Sequence, residues 1–226
     1  MVNPRTICLA MKKGFIFDFD GTLGETVDLV LAAFDSAYAD LGLVMPPRDE
    51  IIANFGPTEL GLLRRLSPAH GDELFARYLV HYSRLHSKYS PAPFLGIADV
   101  LKMLFDRGLL LGIVTGKARE TAELSLKKYG IFDYFSVVEC GDERGAVKPV
   151  KIRNVLNTWK VTPQNAEIYY LGDIERDACD AKESGITPLA AAWSDFADVA
   201  ALEKSPAKAV FRSVAEFKAW VEENVL

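Results

Sequence analysis

The chain has 226 residues, half of them hydrophobic and a quarter charged, with a net charge of −5. These values are typical of a globular protein with a sizeable core. The slight acidic excess argues against a broad nucleic-acid interface, which needs a basic surface. No run of about 18 apolar residues predicts a membrane span, and the apolar stretch at residues 7–11 is too short for a signal peptide.

The cysteines are Cys8, Cys140 and Cys179, an odd number without C-x-x-C spacing. This pattern predicts neither a disulfide framework nor a thiolate zinc site and favours a reducing compartment. We therefore expect a cytoplasmic monomer or homodimer with no nucleic-acid or membrane partner. Cys179 is expected to be a buried small side chain. Met11 is a candidate for the natural start, which would make residues 1–10 an extension.

Short apolar runs rich in β-forming residues alternate with helical patterns along most of the chain. Such alternation predicts an α/β fold with a doubly wound parallel sheet, and near-continuous apolar runs suit strands buried on both faces. The predicted strands span residues 14–19, 109–114, 135–138, 168–171 and 188–192, and the predicted helices between them span residues 97–107, 118–129, 150–159 and 176–184.

Residues 25–90 interrupt this alternation, because they hold helical patterns and no convincing strand. Apolar side chains recur there at helical spacing, and proline-containing turns separate the helical stretches. We predict a helical domain, called the cap below, inserted into a core domain formed by residues 1–24 and 91–226.

Polar residues follow the predicted strands at their carboxyl ends. Ligands of an open parallel sheet bind beyond these ends, so we expect the polar groups to meet at one rim. The groups expected there are Asp18, Asp20, Thr115, Gly116, Lys148, Asp173 and Asp177.

The two acids of the first strand have separable chemical uses. Alternation along the strand places Asp18 and Asp20 on the same side. One carboxylate can attack phosphorus and form an acyl phosphate. The other can protonate the leaving alkoxide and later deprotonate the hydrolytic water, and repulsion between the two acids raises one pKa.

This concentration of carboxylates needs a cation. An all-oxygen ligand set suits Mg²⁺ rather than zinc, with Asp173 as a ligand and Asp177, one helical turn later, bracing it or binding through water. Thr115 and the amides at Gly116 can donate to phosphoryl oxygens, and Lys148 adds a positive charge.

The order and spacing of these residues resemble the four motifs of the haloacid dehalogenase superfamily of phosphatases over essentially the whole chain. The matching motifs are Asp18-x-Asp20-Gly-Thr-Leu, Thr115 after an apolar strand, Lys148-Pro149 and Gly172-Asp173-x-x-x-Asp177. The cap stands where members with a helical cap carry it. The likeness is greatest to the phosphoglycolate phosphatase-like branch, and it implies a Rossmann-like core.

The resemblance also implies roles and a reaction. Asp18 would be the nucleophile and a metal ligand, and Asp20 the general acid/base with its backbone carbonyl on Mg²⁺. Thr115 and Lys148 would bind the transferring phosphoryl group, and Lys148 would also steady Asp18. The acids of the last motif would bind and support the metal. The expected reaction is Mg²⁺-dependent hydrolysis of a small phosphorylated metabolite, a phosphate monoester, through an aspartyl phosphate.

Alternatives remain within the superfamily. Residues 24–26 and Ile174 depart from the usual motifs and leave the subfamily open. Mutases of this superfamily carry a histidine where Val30 stands, so a phosphosugar mutase is less favoured, while a pyrophosphate hydrolase needs the same core residues. Asp20 argues against dehalogenases and phosphonate hydrolases. A non-enzymatic phosphate-binding switch would not need a cap that controls water.

Selectivity is expected in the cap, around residues 54–61. Arg64 or Arg65 could contact a substrate anion, although a surface position is the simpler expectation. The stripe Tyr78, Tyr82 and Tyr89 is expected to pack within the cap. Two further expectations concern isolated residues: His70, His81 and His86 are solvated, and Trp193 packs against the edge of the core.

Overall fold

The computed structural model describes residues 11–143, 145 and 147–226. Over these residues, parallel strands form one six-stranded sheet in the order β3-β2-β1-β4-β5-β6. The strands are β1 Lys12–Phe17, β2 Leu110–Val114, β3 Val137–Glu139, β4 Ala166–Gly172, β5 Thr187–Ala191 and β6 Val210–Phe211. The predicted parallel α/β sheet is confirmed, and the unpredicted β6 is a two-residue strand at its edge.

Helices cover both faces of the sheet. Alternation along β1 sends Phe15 and Phe17 into a cluster with Leu101 and Phe217, whereas Ile16 packs on the opposite face with Ile152. The helices are α1 Val27–Asp40, α2 Arg48–Ala53, α3 Glu59–Leu66, α4 Gly71–Tyr89, α5 Ile97–Asp106, α6 Arg119–Lys128, α7 Lys148–Trp159, α8 Glu175–Glu183, α9 Val199–Lys204 and α10 Val214–Asn224.

The cap segment holds α1 to α4 and no strand. Its apolar side chains form a cluster of their own, which includes Phe34, Tyr78 and Tyr82. Both of these tyrosines are fully buried, as predicted, but Tyr89 is 38% exposed. The prediction was therefore wrong for Tyr89, which lies at the end of α4 and off the line that the other two tyrosines follow.

Two of the three histidines are buried, contrary to expectation. His81 is 7% exposed and lies 2.7 Å from a carboxylate oxygen of Asp40. His86 is 1% exposed, and its Nε2 lies 2.9 Å from the hydroxyl of Ser125 on α6. Both belong to the inner side of α4, and only His70 is exposed.

Other expectations have mixed outcomes. Cys179 is exposed, because it lies on the outward side of α8, so its predicted burial was wrong. Cys140 is buried, which raises the pKa of its thiol to about 11, and Cys8 lies outside the described residues. Trp193 packs against the core and donates to the carbonyl of Thr22 at 3.2 Å, as predicted. Among the described residues, none of the helices combines the length and apolar character that a membrane crossing requires.

Candidate active site

The nucleophile candidate follows β1 directly. Its amide extends the sheet by donating to the carbonyl of Leu171 on β4 at 2.9 Å. The carboxylate of Asp18 accepts from the amide of Phe19 at 2.7 Å, and the residue is only 7% exposed. Backbone pairing and burial therefore fix one carboxylate at the carboxyl edge of the central strand.

A tight turn after Phe19 brings the last motif against the first. Gly21 adopts a φ of 70°, a conformation that other residues seldom adopt. A Cβ added to Gly21 would overlap the carboxylate of Asp173, and one added to Gly172 would overlap the carboxylate of Asp177. Both glycines are thus needed for the close approach of these acids to the turn.

Lys148 lies between two of the predicted site acids. As the first residue of α7, it is followed by Pro149, whose ring suits the first turn of a helix. Its ammonium donates to the carboxylates of Asp18 and Asp177. Burial alone would lower the pKa of Lys148, but the charges of Asp177 and Asp18 outweigh it and raise that pKa well above its usual value. The lysine is therefore charged and already oriented towards the nucleophile candidate.

The carboxylates of Asp18, Asp173 and Asp177 converge, with one oxygen from each within 4.8 Å of the others. Burial, together with the charges of Asp18 and Asp177, raises the pKa of Asp173 well above its usual range. Burial likewise raises the pKa of Asp177 to about 7, although Lys148 partly opposes this.

This acidic cluster passes a test for a hard divalent cation. One oxygen of Asp177, Oδ2, is buried without a hydrogen-bond partner among the described residues, and every convergent donor is an oxygen. Such a donor set suits Mg²⁺, and a bound divalent charge would relieve the repulsion among the acids. We conclude that Asp18, Asp173 and Asp177 fit the metal that the sequence predicts.

The second acid of the first motif has different neighbours. Its carboxylate accepts from Lys117 at 3.1 Å and from the hydroxyl of Thr26. Burial raises the pKa of Asp20, and Lys117 and Thr26 only partly offset this effect. Although Asp18 and Asp20 are two residues apart, the carboxylate of Asp18 thus lies in the acidic cluster, whereas that of Asp20 lies beside Lys117 and Thr26.

The predicted phosphate-binding residues lie beside these acids. Thr115 directly follows β2, is 2% exposed and lines the same cavity as Asp18 and Asp20. Its amide donates to the carbonyl of Glu139 at 3.1 Å. Gly116 lines the cavity as well, so the structure brings every predicted core residue to one rim.

Sequence reasoning missed Lys117, which the structure places against Asp20 in the candidate site. Its side chain is 1% exposed, with the ammonium 3.1 Å from Asp20 and 3.5 Å from Glu59 of the cap. The ring of Tyr82 lies below the same ammonium, 5.1 Å from it to the ring centroid. Burial would lower the pKa of Lys117, but Asp20, Tyr82 and Glu59 together raise it well above its usual value. The only sequence signal for it is a lysine directly after Thr115-Gly116 at the carboxyl end of β2.

Glu59 is the second missed residue, and it ties the cap to the core. It begins α3, and its carboxylate accepts from the amide of Ala118 at 2.6 Å and from the hydroxyl of Thr121 at 2.7 Å. These donors stand at the start of α6, where the helix dipole favours a negative charge. An acid in a first helical turn is common, so the sequence alone gave no signal for this contact across the two segments.

The two cap arginines are not brought to the site. Arg64 pairs with Asp72 at 2.6 Å and also with Glu143. Arg65 is exposed, and neither residue lines the cavity. Their predicted contact with a substrate anion is therefore not found, and the simpler expectation of a surface position describes them.

The cavity between core and cap has a volume of about 590 Å³. Its core wall carries the acids, Thr115, Lys117 and Lys148. Its cap wall includes Phe55, Gly56, Pro57 and Glu59 from the segment expected to govern selectivity, together with Val30 from α1.

Comparisons with known proteins agree with this architecture. Residues 15–191 match the family model described as haloacid dehalogenase-like hydrolase. A pyrophosphatase PpaX from Halalkalibacterium halodurans is 31% identical over 176 residues, covering 76% of this chain and 79% of that protein. A phosphoglycolate phosphatase from Synechococcus elongatus is 31% identical over 191 residues, covering 80% of this chain and 84% of that protein.

Solved structures show the same fold. A haloacid dehalogenase-like family hydrolase from Streptococcus pneumoniae has a TM-score of 0.73 and 25% identity, and the match covers 93% of this chain and 98% of that one. A predicted phosphoglycolate phosphatase from Haemophilus somnus has a TM-score of 0.78 at 18% identity, covering 96% of this chain and 100% of that one. These matches confirm the predicted fold and the predicted resemblance.

Proposed function

The chain belongs to the haloacid dehalogenase-like hydrolases as a phosphatase of that family, and we propose that it hydrolyses a small-molecule phosphate monoester with Mg²⁺ through a phosphorylated Asp18. The observation that carries this proposal is the difference in surroundings between two acids only two residues apart. Asp18 contacts Lys148 and belongs to the acidic cluster, whereas Asp20 contacts Lys117 and Thr26.

The arrangement supports a two-step displacement. A carboxylate oxygen of Asp18 bonds to phosphorus as the ester P–O bond breaks, and the leaving alkoxide takes the proton of Asp20. Water then attacks phosphorus and gives its proton to Asp20, and the acyl P–O bond breaks to release phosphate and free Asp18. The raised pKa of Asp20, caused by its burial, suits a group that must carry a proton first and accept one later.

The remaining residues hold the reactants. Lys148 steadies Asp18 and places a positive charge beside the phosphoryl oxygens, and Thr115 donates a hydrogen bond to them. Asp18, Asp173, Asp177 and the backbone carbonyl of Asp20 would hold Mg²⁺. When bound, the metal supplies positive charge that lets the anionic nucleophile approach an anionic phosphate.

Pyrophosphate hydrolysis is the second candidate, because a relative with 31% identity is named a pyrophosphatase. The same core chemistry would serve it, with phosphate as the leaving group. The mutase alternative gains no support, since Val30 is an apolar side chain on the cavity wall and cannot relay a proton.

Release of inorganic phosphate from p-nitrophenyl phosphate tests the proposal. We expect turnover with Mg²⁺, none after chelation, and a loss of at least about 1,000-fold in Asp18→Asn, because the amide is a poor nucleophile. The exposed change Asp35→Asn on α1 serves as a matched control and should leave the rate unchanged. Full activity in Asp18→Asn would exclude the nucleophile assignment.

A further inference from the structure

The wall that the cap contributes to the cavity is apolar. Six of its side chains are hydrophobic, and no arginine, lysine or histidine of the cap lines the cavity. The apolar side chains are those of Val27, Val30, Ile52, Phe55, Pro57 and Leu62.

The polar groups of this wall are already engaged. Thr26 donates its hydroxyl to Asp20. Glu59 accepts from Ala118 and Thr121 and lies 3.5 Å from Lys117. The cap side chains thus offer a leaving group neither a free hydrogen-bond donor nor a positive charge.

Among the described residues of the core that line the cavity, none supplies an unpaired positive charge. Of the described residues that line the cavity, six are acids and four are bases, and each base has an acidic partner. Lys117 and Lys148 bind the site acids, Lys151 pairs with Glu139 at 3.2 Å, and Arg176 pairs with Asp180 at 2.6 Å. One bound divalent cation would offset this acidic excess, so a second anionic group next to the phosphoryl dianion would lack a partner among these described residues.

Large hydrophobic side chains are also exposed at the same cavity. Phe55 follows α2, Ile174 follows β4 and Phe196 follows β5, and they are 42%, 49% and 42% exposed. Exposed apolar groups from three separate segments that meet at one concave site indicate a ligand with apolar surface.

We propose that the substrate is a phosphate monoester of a hydrophobic alcohol or phenol, whose apolar group packs on the cap wall near Phe55 while its phosphoryl group faces Asp18. This inference rests on the proposed phosphatase function. It distinguishes the chain from a hydrolase whose leaving group is a phosphate or carries a carboxylate, because the described residues of the cavity offer such a group no unpaired cation.

A matched substrate panel tests the proposal. 3-Phenylpropyl phosphate and 4-phosphonooxybutanoate have leaving alcohols of similar reactivity. The first ends in an apolar phenyl group and the second in an anionic carboxylate. With Mg²⁺, we expect kcat/KM for the phenyl ester to exceed that for the carboxylate ester by at least about tenfold. Pyrophosphate should be hydrolysed more slowly than the phenyl ester. Equal or greater activity on the carboxylate ester or on pyrophosphate would overturn the inference and leave the phosphatase proposal intact. No activity on p-nitrophenyl phosphate or on any member of the panel would instead overturn the proposed function.

A pair of variants shows whether the cap wall sets the preference. Phe55→Lys adds a cation at the exposed edge of the wall. It should lower the ratio of kcat/KM for the phenyl ester to kcat/KM for the carboxylate ester by at least about fivefold. Val80→Lys adds the same charge at a 65% exposed site of α4 that does not line the cavity, and should keep the wild-type preference. An equal change in both variants, or none in Phe55→Lys, would contradict a selecting role for this wall.

Discussion

The two walls of the cavity differ in what stabilises them. The core wall concentrates carboxylates whose pKa values are raised by burial and mutual repulsion, as at Asp173 and Asp177. The cap wall presents apolar side chains, backed by the buried rings of Phe34, Tyr78 and Tyr82. The core wall therefore holds acids that repel one another and that the proposed cation would stabilise, whereas the cap wall is stabilised by ordinary hydrophobic packing.

One contact joins the two walls through charge. Glu59 of the cap meets Lys117 of the core, which in turn meets Asp20. The acid/base candidate is consequently positioned partly by a residue that the cap delivers. The difference between the walls predicts large catalytic effects at the core, intermediate effects at this junction, and effects on stability alone inside the cap.

A large catalytic effect at the core wall is expected for Asp20→Asn. Loss of the acid/base should lower kcat by about 100- to 10,000-fold, while Mg²⁺ still raises the melting temperature because the backbone carbonyl remains. With a reactive aryl ester, whose leaving group needs no proton, phosphorylated Asp18 should accumulate in Asp20→Asn. Hydroxylamine should cleave this acyl phosphate and release phosphate. Unchanged turnover in Asp20→Asn would contradict the acid/base role of Asp20. A phosphoenzyme that still forms in Asp18→Asn would contradict the nucleophile role of Asp18.

Lys117→Met tests the junction and should lower kcat by about 10- to 100-fold, with a smaller change in KM, because Asp20 loses its nearest cation. Glu59→Gln should have a weaker effect in the same direction, since the amide keeps one acceptor for α6 but loses its charge next to Lys117. Arg65→Met removes an exposed cation from the same cap helix and serves as the control. If all three variants behave alike, the junction has no positioning role.

Asp173→Asn should stabilise the metal-free protein while it removes activity. Because burial and the charges of Asp18 and Asp177 raise the pKa of Asp173, its ionised carboxylate opposes folding, and its replacement should increase the free energy of unfolding at pH 8. Mg²⁺ should raise the melting temperature of the wild type, and it should raise that of Asp173→Asn much less. Asp35→Asn, an exposed acid of α1, should show neither change. A variant less stable than the metal-free wild type would show that repulsion does not dominate the cluster.

The sequence predicted most of the sheet and the core rim, because local patterns determine both. Apolar runs identified five of the strands, and the predicted run at residues 14–19 differs from β1 by two residues at each end. The rim followed from topology, since parallel strands place their carboxyl ends together. Strand β6 was missed because two residues carry too little periodicity for recognition.

Contacts across long sequence separations could not be predicted in the same way. Glu59 meets Ala118, 59 residues away, and nothing local marks that pairing. The histidines show a different error, because Tyr78, Tyr82 and His86 follow one another at spacings of four. The buried line of α4 therefore continues through His86, and the sequence reading assigned its third place to Tyr89 instead.

That buried histidine provides an expected effect on stability alone, without a change in activity, and isolates the packing of α4 on α6. Burial, with help from Lys128 and Lys117, lowers the pKa of His86 to about 4 from 6.5. Between these values the unfolded chain binds a proton that the folded protein does not, so stability falls as the pH drops from 6.5 towards 4.

His86→Gln removes this titration but keeps a polar group near Ser125. Urea unfolding from pH 7.5 to 4.5 should show the wild type losing stability relative to the variant by about 1 kcal/mol per pH unit below pH 6.5. Taking this difference cancels the opposite trend from the site acids, whose raised pKa values favour the folded state as the pH falls. His70→Gln, at an exposed histidine, should run parallel to the wild type. If His86→Gln also runs parallel, the imidazole takes up its proton in the folded protein and the contact between α4 and α6 admits water.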